Sequence, residues 1–296
     1  MNPDFLRARL PDLLAQVWDT EVRASWPVTD GMNSVTTGLD LPGGRYIAKW
    51  VPRAQASALA RGARTAWELA ERGVRSGRPL LRPDGALTAP AWGGELVVLE
   101  EVPGVPLTAS AQDQRAWGRA LGRVHALATR PARPSFASWL EDAARDVAPD
   151  DWVRRALDVV LREHERLPTL TWVQLHTDPA PEAFLRDKDG DVGVVDWTGS
   201  TPGPALYDVA SALMYAGPTS GAALVEGYRE ESAVPAAELR HHLGAFSRFR
   251  AAVQAAYFAR RVAERDLTGI ASQDDNARGL ADARGMLRLL GVPVEA

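Results

Sequence analysis

Along the first third of the chain the apolar positions change period twice. Phe5, Leu6, Leu10, Leu13, Leu14 and Val17 recur at helical spacing and predict an amphipathic helix over residues 3 to about 18. Short β-rich runs fill residues 22–51 and are cut by Asp30-Gly31 and Pro42-Gly43-Gly44, which predicts three antiparallel strands joined by hairpins. Residues 54–73 return to helical spacing, with Leu59, Ala63, Ala66, Trp67 and Ala70 on one side and a stop at Arg72-Gly73. Apolar runs around Leu87 and over residues 95–100 complete a five-stranded sheet. In Glu101-Val102-Pro103-Gly104-Val105-Pro106 the strand pattern stops, and Pro and Gly mark a hinge before the chain turns helical.

Beyond that hinge the period is mainly 3.6. Helices are predicted over residues 113–127, about 135–147 and about 150–166, with Pro168 closing the last. Two short apolar runs interrupt them, Trp172-Val173-Gln174-Leu175 just before Asp178 and Val192-Gly193-Val194-Val195 ending at Asp196. These read as strands that each deliver a carboxylate to the same edge of a small sheet. Beyond Ala210, to about Leu290, the pattern is helical throughout, including the apolar and aromatic series Leu243, Phe246, Phe249, Val253, Tyr257 and Phe258. The expected organisation is therefore a sheet domain over 1-102 and a larger helical domain over 103-296.

Composition narrows the function classes. With 296 residues, 46% hydrophobic and 24% charged, the chain is long enough for two cores and has the balance of a globular protein. A formal charge of -4 and a pI near 5.8 give no electrostatic pull towards nucleic acid or an anionic membrane. The absence of Cys removes disulfides, thiolate nucleophiles and Cys-ligated zinc together. The start lacks an uninterrupted apolar segment, and no later run approaches the ~20 apolar residues of a membrane span, so a cytoplasmic location is expected. Of the 34 basic residues only Lys49 and Lys188 are lysines. A compact ammonium inside the apolar run Arg45-Tyr46-Ile47-Ala48-Lys49-Trp50-Val51 therefore stands out from a background of planar guanidinium groups.

Each chemical signal is weak alone: Gly31-Met32-Asn33-Ser34 offers small residues that let backbone N–H groups approach an anion, and His176-Thr177-Asp178 is short. Order and interval carry more. A strand Lys, a helix, a hinge, His-x-Asp, a strand ending in Asp196-Trp197, and then Tyr207-Asp208-Val209-Ala210 follow one another. This succession resembles the aminoglycoside phosphotransferase and choline kinase-like family, in which the run reads His-Gly-Asp, four residues, Asn, and then Ile-Asp-Trp. The resemblance implies an α+β, bilobal protein-kinase-like fold, with a small antiparallel five-stranded sheet lobe and a larger helical lobe. It also implies ATP and Mg2+ as cofactors, with the nucleotide held by Ser34, Lys49 and the segment at Glu100 and Val102.

The same resemblance makes Asp178 the base that takes the acceptor's proton, His176 a support for its loop, Asp196 the metal ligand and Asp208 a hydrogen-bonding partner of the catalytic loop. The family's helix acid, which pairs with the strand Lys, falls here near Gly62 and Arg64, leaving Glu68 as the nearest candidate. Ala183 stands where the family has Asn and carries no side-chain oxygen. Glu182 beside it is a hard oxygen ligand able to take that place if the loop is irregular there. Thr177 replaces the usual Gly, and Pro179-Ala180 the usual Leu-His.

Two functions follow. The first is an ATP-dependent phosphotransferase that moves the γ-phosphoryl group to a hydroxyl of an aminoglycoside-, choline- or sugar-like small molecule, as retention of Lys49, Asp178 and Asp196 suggests. The second is a degenerate kinase-like protein that binds a nucleotide or metabolite without turnover, as Ala183 and the missing helix acid suggest. Glu226, Glu230, Glu231, Glu264 and Asp266 read either as an acidic wall for a cationic acceptor or as solvated helix-surface acids.

Overall fold

The computed structural model describes residues 3–28, 34–133, 136, 151–217, 221–267, 270 and 272–295. Its elements run α1 (Pro3–Val17), β1 (Ala24–Pro27), β2 (Val35–Leu41), β3 (Gly44–Pro52), α2 (Ala56–Ala70), β4 (Thr88–Ala91), β5 (Gly94–Glu100), β6 (Val105–Pro106) and α3 (Ala111–Leu127). They continue with α4 (Trp152–His164), β7 (Trp172–Leu175), β8 (Phe184–Arg186), β9 (Val192–Val194), β10 (Thr201–Pro204), α5 (Ala205–Ala216), α6 (Gly221–Glu231), α7 (Ala236–Glu264) and α8 (Gln273–Leu289). The expected helix near 135–147 and the turn and loop at Asp30, Gly31, Met32 and Asn33 lie outside the described residues. Among the described residues no helix is long and apolar enough to cross a membrane.

The fold is α+β, and the chain forms two compact units, Met1–Thr108 with Ala180–Thr201, and Ala109–Pro179 with Pro202–Ala296. These differ from the expected spans because residues 180–201 cluster with the first unit. That unit is built on a five-stranded antiparallel sheet in the order β1-β2-β3-β5-β4. Alternation along β3 sends Tyr46, Ala48 and Trp50 to one face, where they pack with Leu6, Leu10 and Leu14 of α1. Val51 and Val97 pack with Leu59 and Ala63 of α2 in a second cluster. Lys49 lies between Thr36 and Val97 in register, on a central strand of the sheet.

The two acid-bearing strands correct an expectation. β7 pairs with β10, whereas β9 pairs with β8, which in turn pairs with β6. The strands before Asp178 and Asp196 therefore belong to different sheets. Phe184–Arg186 intervenes and forms its own hairpin with Val192–Val194, a partner closer in sequence than β7. The expected hinge ends in the extended pair Val105–Pro106, which takes β8 as its partner.

The second unit is mainly helical. Asp151 caps α4 by accepting from the Val153 amide at 2.8 Å, and Ser110 caps α3 by accepting from the Asp113 amide at 3.1 Å. α3 and α6 meet where Gly118, Gly122 and Gly227 leave no room for a Cβ against the opposing backbone. Trp117, Tyr228, Phe246, Phe249 and Leu157 are fully buried in this unit.

Candidate active site

In the sheet unit, the ammonium of Lys49 meets the Oδ1 of Asp196 at 2.5 Å. Lys49 reaches it from β3 with 11% of its side chain exposed, while the Asp196 side chain is 57% exposed. The Thr198 hydroxyl donates to the same oxygen at 3.1 Å. Asp196 occupies the left-handed region, φ 64°, two residues after β9 and immediately before a single 3-10 turn at Trp197–Gly199. A non-glycine residue there is uncommon, and such conformations concentrate where a side chain must be aimed. Trp197 anchors the turn from below, buried and donating its indole N–H to the Val194 carbonyl at 3.0 Å.

α2 lies directly against that turn. A Cβ built on Gly62 would come within 2.5 Å of the Trp197 carbonyl oxygen and 2.9 Å of the Thr198 Cα. This close approach explains why the helix carries Gly near the position where an acid is expected. The acid that Lys49 meets is Asp196; Glu68 is half-buried further along α2. Ala183 is buried at the end of a 3-10 turn, Pro181–Ala183, and its carbonyl accepts from the Val195 amide at 2.9 Å. Glu182 is exposed on that turn, so the loop has the irregularity that an oxygen ligand at this place requires. Glu100 and Glu101 use their amides on the carbonyls of Arg78 and Arg45, at 2.8 and 3.0 Å. Val102 packs its side chain beside Gly77 and Gly193, and Ser34 is half-buried immediately before β2.

In the helical unit, Asp208 organises the loop after β7. Its carboxylate is fully buried and accepts from the His176 amide at 2.6 Å and from the Thr177 amide at 2.9 Å. His125 Nε2 lies 3.1 Å from the same carboxylate, and its Nδ1 lies 2.8 Å from the Tyr228 hydroxyl. A carboxylate only accepts, so Nε2–H is the donor there, and the Tyr228 hydroxyl donates to Nδ1. Burial first, and the Asp208 charge second, push the Tyr228 phenol well above its usual value, which keeps it a donor. Thr177 is held at φ 76° by this clamp, a conformation that a β-branched residue rarely adopts. His176 is buried, 2% exposed, and Asp178 beyond it is exposed.

Two further groups surround Asp178 that the motif order does not single out. The Tyr215 hydroxyl donates to Asp178 Oδ1, and Arg250 Nη2 lies 4.0 Å from that oxygen. Arg250 has a sequence signal: it lies four residues after Phe246 and three before Val253, a charge on the apolar side of α7. The acids proposed as a cationic-acceptor wall are largely engaged: Glu230 with Arg115 and Arg119, Glu226 with Arg115 at 3.6 Å, and Asp266 with Arg261 at 3.1 Å.

The model of the phosphotransferase enzyme family, APH, matches residues 28–267. The chain belongs to that family. Solved kinase structures share its fold at low identity. An amicoumacin kinase, solved in complex with AMP-PNP, Ca2+ and Ami, superposes with a TM-score of 0.75 at 18% identity, over 98% of this chain and 97% of that one. A microcompartment-associated aminopropanol kinase gives 0.72 at 18% identity, over 97% and 100%. The choline kinase LicA from Streptococcus pneumoniae gives 0.68 at 14%, over 96% and 99%. No curated protein sequence matches the chain. By family the chain is a phosphotransferase.

Proposed function

We propose that this phosphotransferase uses ATP with Mg2+ and moves the γ-phosphoryl group to a hydroxyl of a small molecule. The observation that carries the proposal is the Lys49–Asp196 pair, a cation and a hard oxygen ligand held together on a strand and an adjoining turn. Phosphoryl transfer depends on positioning and on neutralising the phosphates far more than on covalent help from the protein. Lys49 has the compact charge for the α- and β-phosphates, and Ser34, Glu100 and Val102 are the remaining nucleotide contacts in this reading. Asp178 takes the proton of the acceptor hydroxyl as that oxygen bonds to the γ-phosphorus and ADP departs. His176 and Asp208 hold the Asp178 loop in place.

The donor set fits a nucleotide-borne ion. Among the described residues no three His, Asp or Glu side chains gather into a metal cage, and Ala183 offers no oxygen. Mg2+ commonly binds through one or two carboxylates, several waters and the substrate's phosphates, and Asp196, with Glu182 nearby in sequence, suits that arrangement. Bound there, the ion would neutralise charge developing on the phosphates.

The test is ADP release from ATP with Mg2+ in the presence of kanamycin, choline, aminopropanol or glucose. Activity with one of these is expected, and Asp178→Asn should lower kcat on the order of 100-fold or more while leaving ATP affinity nearly unchanged, because a base acts in the transition state. Nucleotide binding without turnover in any of these mixtures would favour the degenerate reading that Ala183 suggests.

A further inference from the structure

Arg250 is an expensive residue to bury. It is 6% exposed, its Nη1 donates to Gln254 Oε1 at 2.7 Å, its Nη2 reaches the Tyr215 hydroxyl at 3.4 Å, and among the described residues its Nε finds no hydrogen-bond partner. A buried guanidinium held only for packing is normally closed by a short, bidentate ion pair. Here the facing carboxylate is Asp178, at 4.0 Å, and the Tyr215 hydroxyl sits between them, donating to Asp178 Oδ1 while lying near the guanidinium. The three groups come from the loop after β7, from α5 and from α7.

We propose that Tyr215 and Arg250 are positioning residues that occupy Oδ1 of Asp178 and so present Oδ2 to the acceptor hydroxyl. This rests on the phosphotransferase function proposed above. In the step itself the acceptor O–H bond breaks, its proton passes to Oδ2, the oxygen's electron pair forms the new bond to the γ-phosphorus, and the bond from phosphorus to the ADP oxygen breaks. Without an anchor, an exposed aspartate samples several rotamers, and only some aim an oxygen at the hydroxyl. The Tyr215 phenol suits the anchoring role: the residue is 38% exposed, and partial desolvation of its phenol first, and the Asp178 charge next, raise its pKa above the usual value, so it keeps its proton and stays a donor.

Tyr215→Phe removes one oxygen and keeps the ring. With ATP, Mg2+ and whichever of kanamycin, choline, aminopropanol or glucose is turned over, it is expected to lower kcat on the order of 10- to 100-fold with KM for ATP changed less than about twofold. Arg250→Lys should recover part of the rate that Arg250→Gln loses. In an Asp178→Asn background, Tyr215→Phe should cost nothing more, since its effect passes through that carboxylate. A readout independent of turnover is the absorbance titration of the phenols. The chain has five tyrosines, and the one missing in Tyr215→Phe should ionise at lower pH in Asp178→Asn. Full kcat in Tyr215→Phe, or an undiminished further loss in the Asp178→Asn background, overturns the inference and leaves the phosphotransferase proposal standing. A wild-type protein inert with all four acceptors defeats that proposal and the positioning role together.

Discussion

Thr177 pays a conformational cost so that Asp178 points outward. A left-handed backbone costs a residue with a Cβ about 1–2 kcal/mol, and branching at Cβ adds crowding. Asp208 supplies the compensation, accepting from the two successive amides of His176 and Thr177 and bending the chain where β7 ends. Glycine adopts this φ freely, which is the physical reason that the resembling family carries Gly at this position. Thr177→Gly is therefore expected to be neutral or stabilising by up to about 1 kcal/mol, since the relieved strain exceeds the entropy of about 0.5–1 kcal/mol that Gly loses on folding. Urea melts of the two proteins check it; a loss above about 1 kcal/mol would mean that the Thr177 side chain contributes a contact outweighing its strain. At this scale the chemistry is legible in sequence wherever a residue is unusual for its surroundings: a Lys in an Arg-rich chain, an acid ending a strand, an Asp in Tyr-Asp-Val-Ala. Tyr215 is not, because its role depends on the rotation of α5 about its axis, and one tyrosine on a helix has many apolar uses.

Between elements, the decisive contact is α2 against the turn that carries Asp196. Helical periodicity locates α2 within about three residues, and hairpin signals locate the strands beside it, because both depend on neighbours in sequence. Which strands share a sheet depends on long-range pairing, and that is where the expectation of one sheet edge for both acids fails. Gly62 is similarly silent in the sequence: mid-helix glycine reads as a weak helix position, yet here it lets the helix backbone lie on Trp197 and Thr198. Gly62→Ala gains about 1 kcal/mol of intrinsic helix propensity and loses more, because the new methyl meets main chain that has no rotamer to change. A net destabilisation of about 1–3 kcal/mol is expected, together with weaker ATP binding, since the turn that the methyl would displace carries Asp196, the partner of Lys49. Calorimetric titration with ATP and Mg2+ reports the second effect; unchanged affinity in a destabilised variant would separate the helix contact from the Lys49–Asp196 geometry.

Over the whole chain, stability has a pH dependence set by His164 at the end of α4. Its ring packs on Phe249 and Phe246, with centroids 4.3 and 4.8 Å away, and burial lowers its pKa from 6.5 to about 4, against the opposing influence of Glu163. The unfolded chain therefore binds a proton between pH 6.5 and 4 that the folded chain refuses. The stability this represents is fully present above pH 6.5 and is lost as pH falls towards 4, reaching about 2 kcal/mol by pH 5. Glu163, the adjacent carboxylate, is held below its usual value by its hydrogen bonds to Arg248, so its own contribution is lost only below about pH 4.5 and leaves the window from 6.5 to 5 to the imidazole. Periodicity places His164 on α4, but its neutrality in the fold comes from two phenylalanines some eighty residues later, which no local pattern reports. His164→Leu keeps an apolar side chain against Phe246 and Phe249 and removes the titration. Urea melts at pH 7 and pH 5 should show the wild type losing about 2 kcal/mol more than this variant. Equal losses in the two proteins would mean that His164 takes up its proton without leaving the folded core, and that the acid sensitivity of the chain resides in its carboxylates.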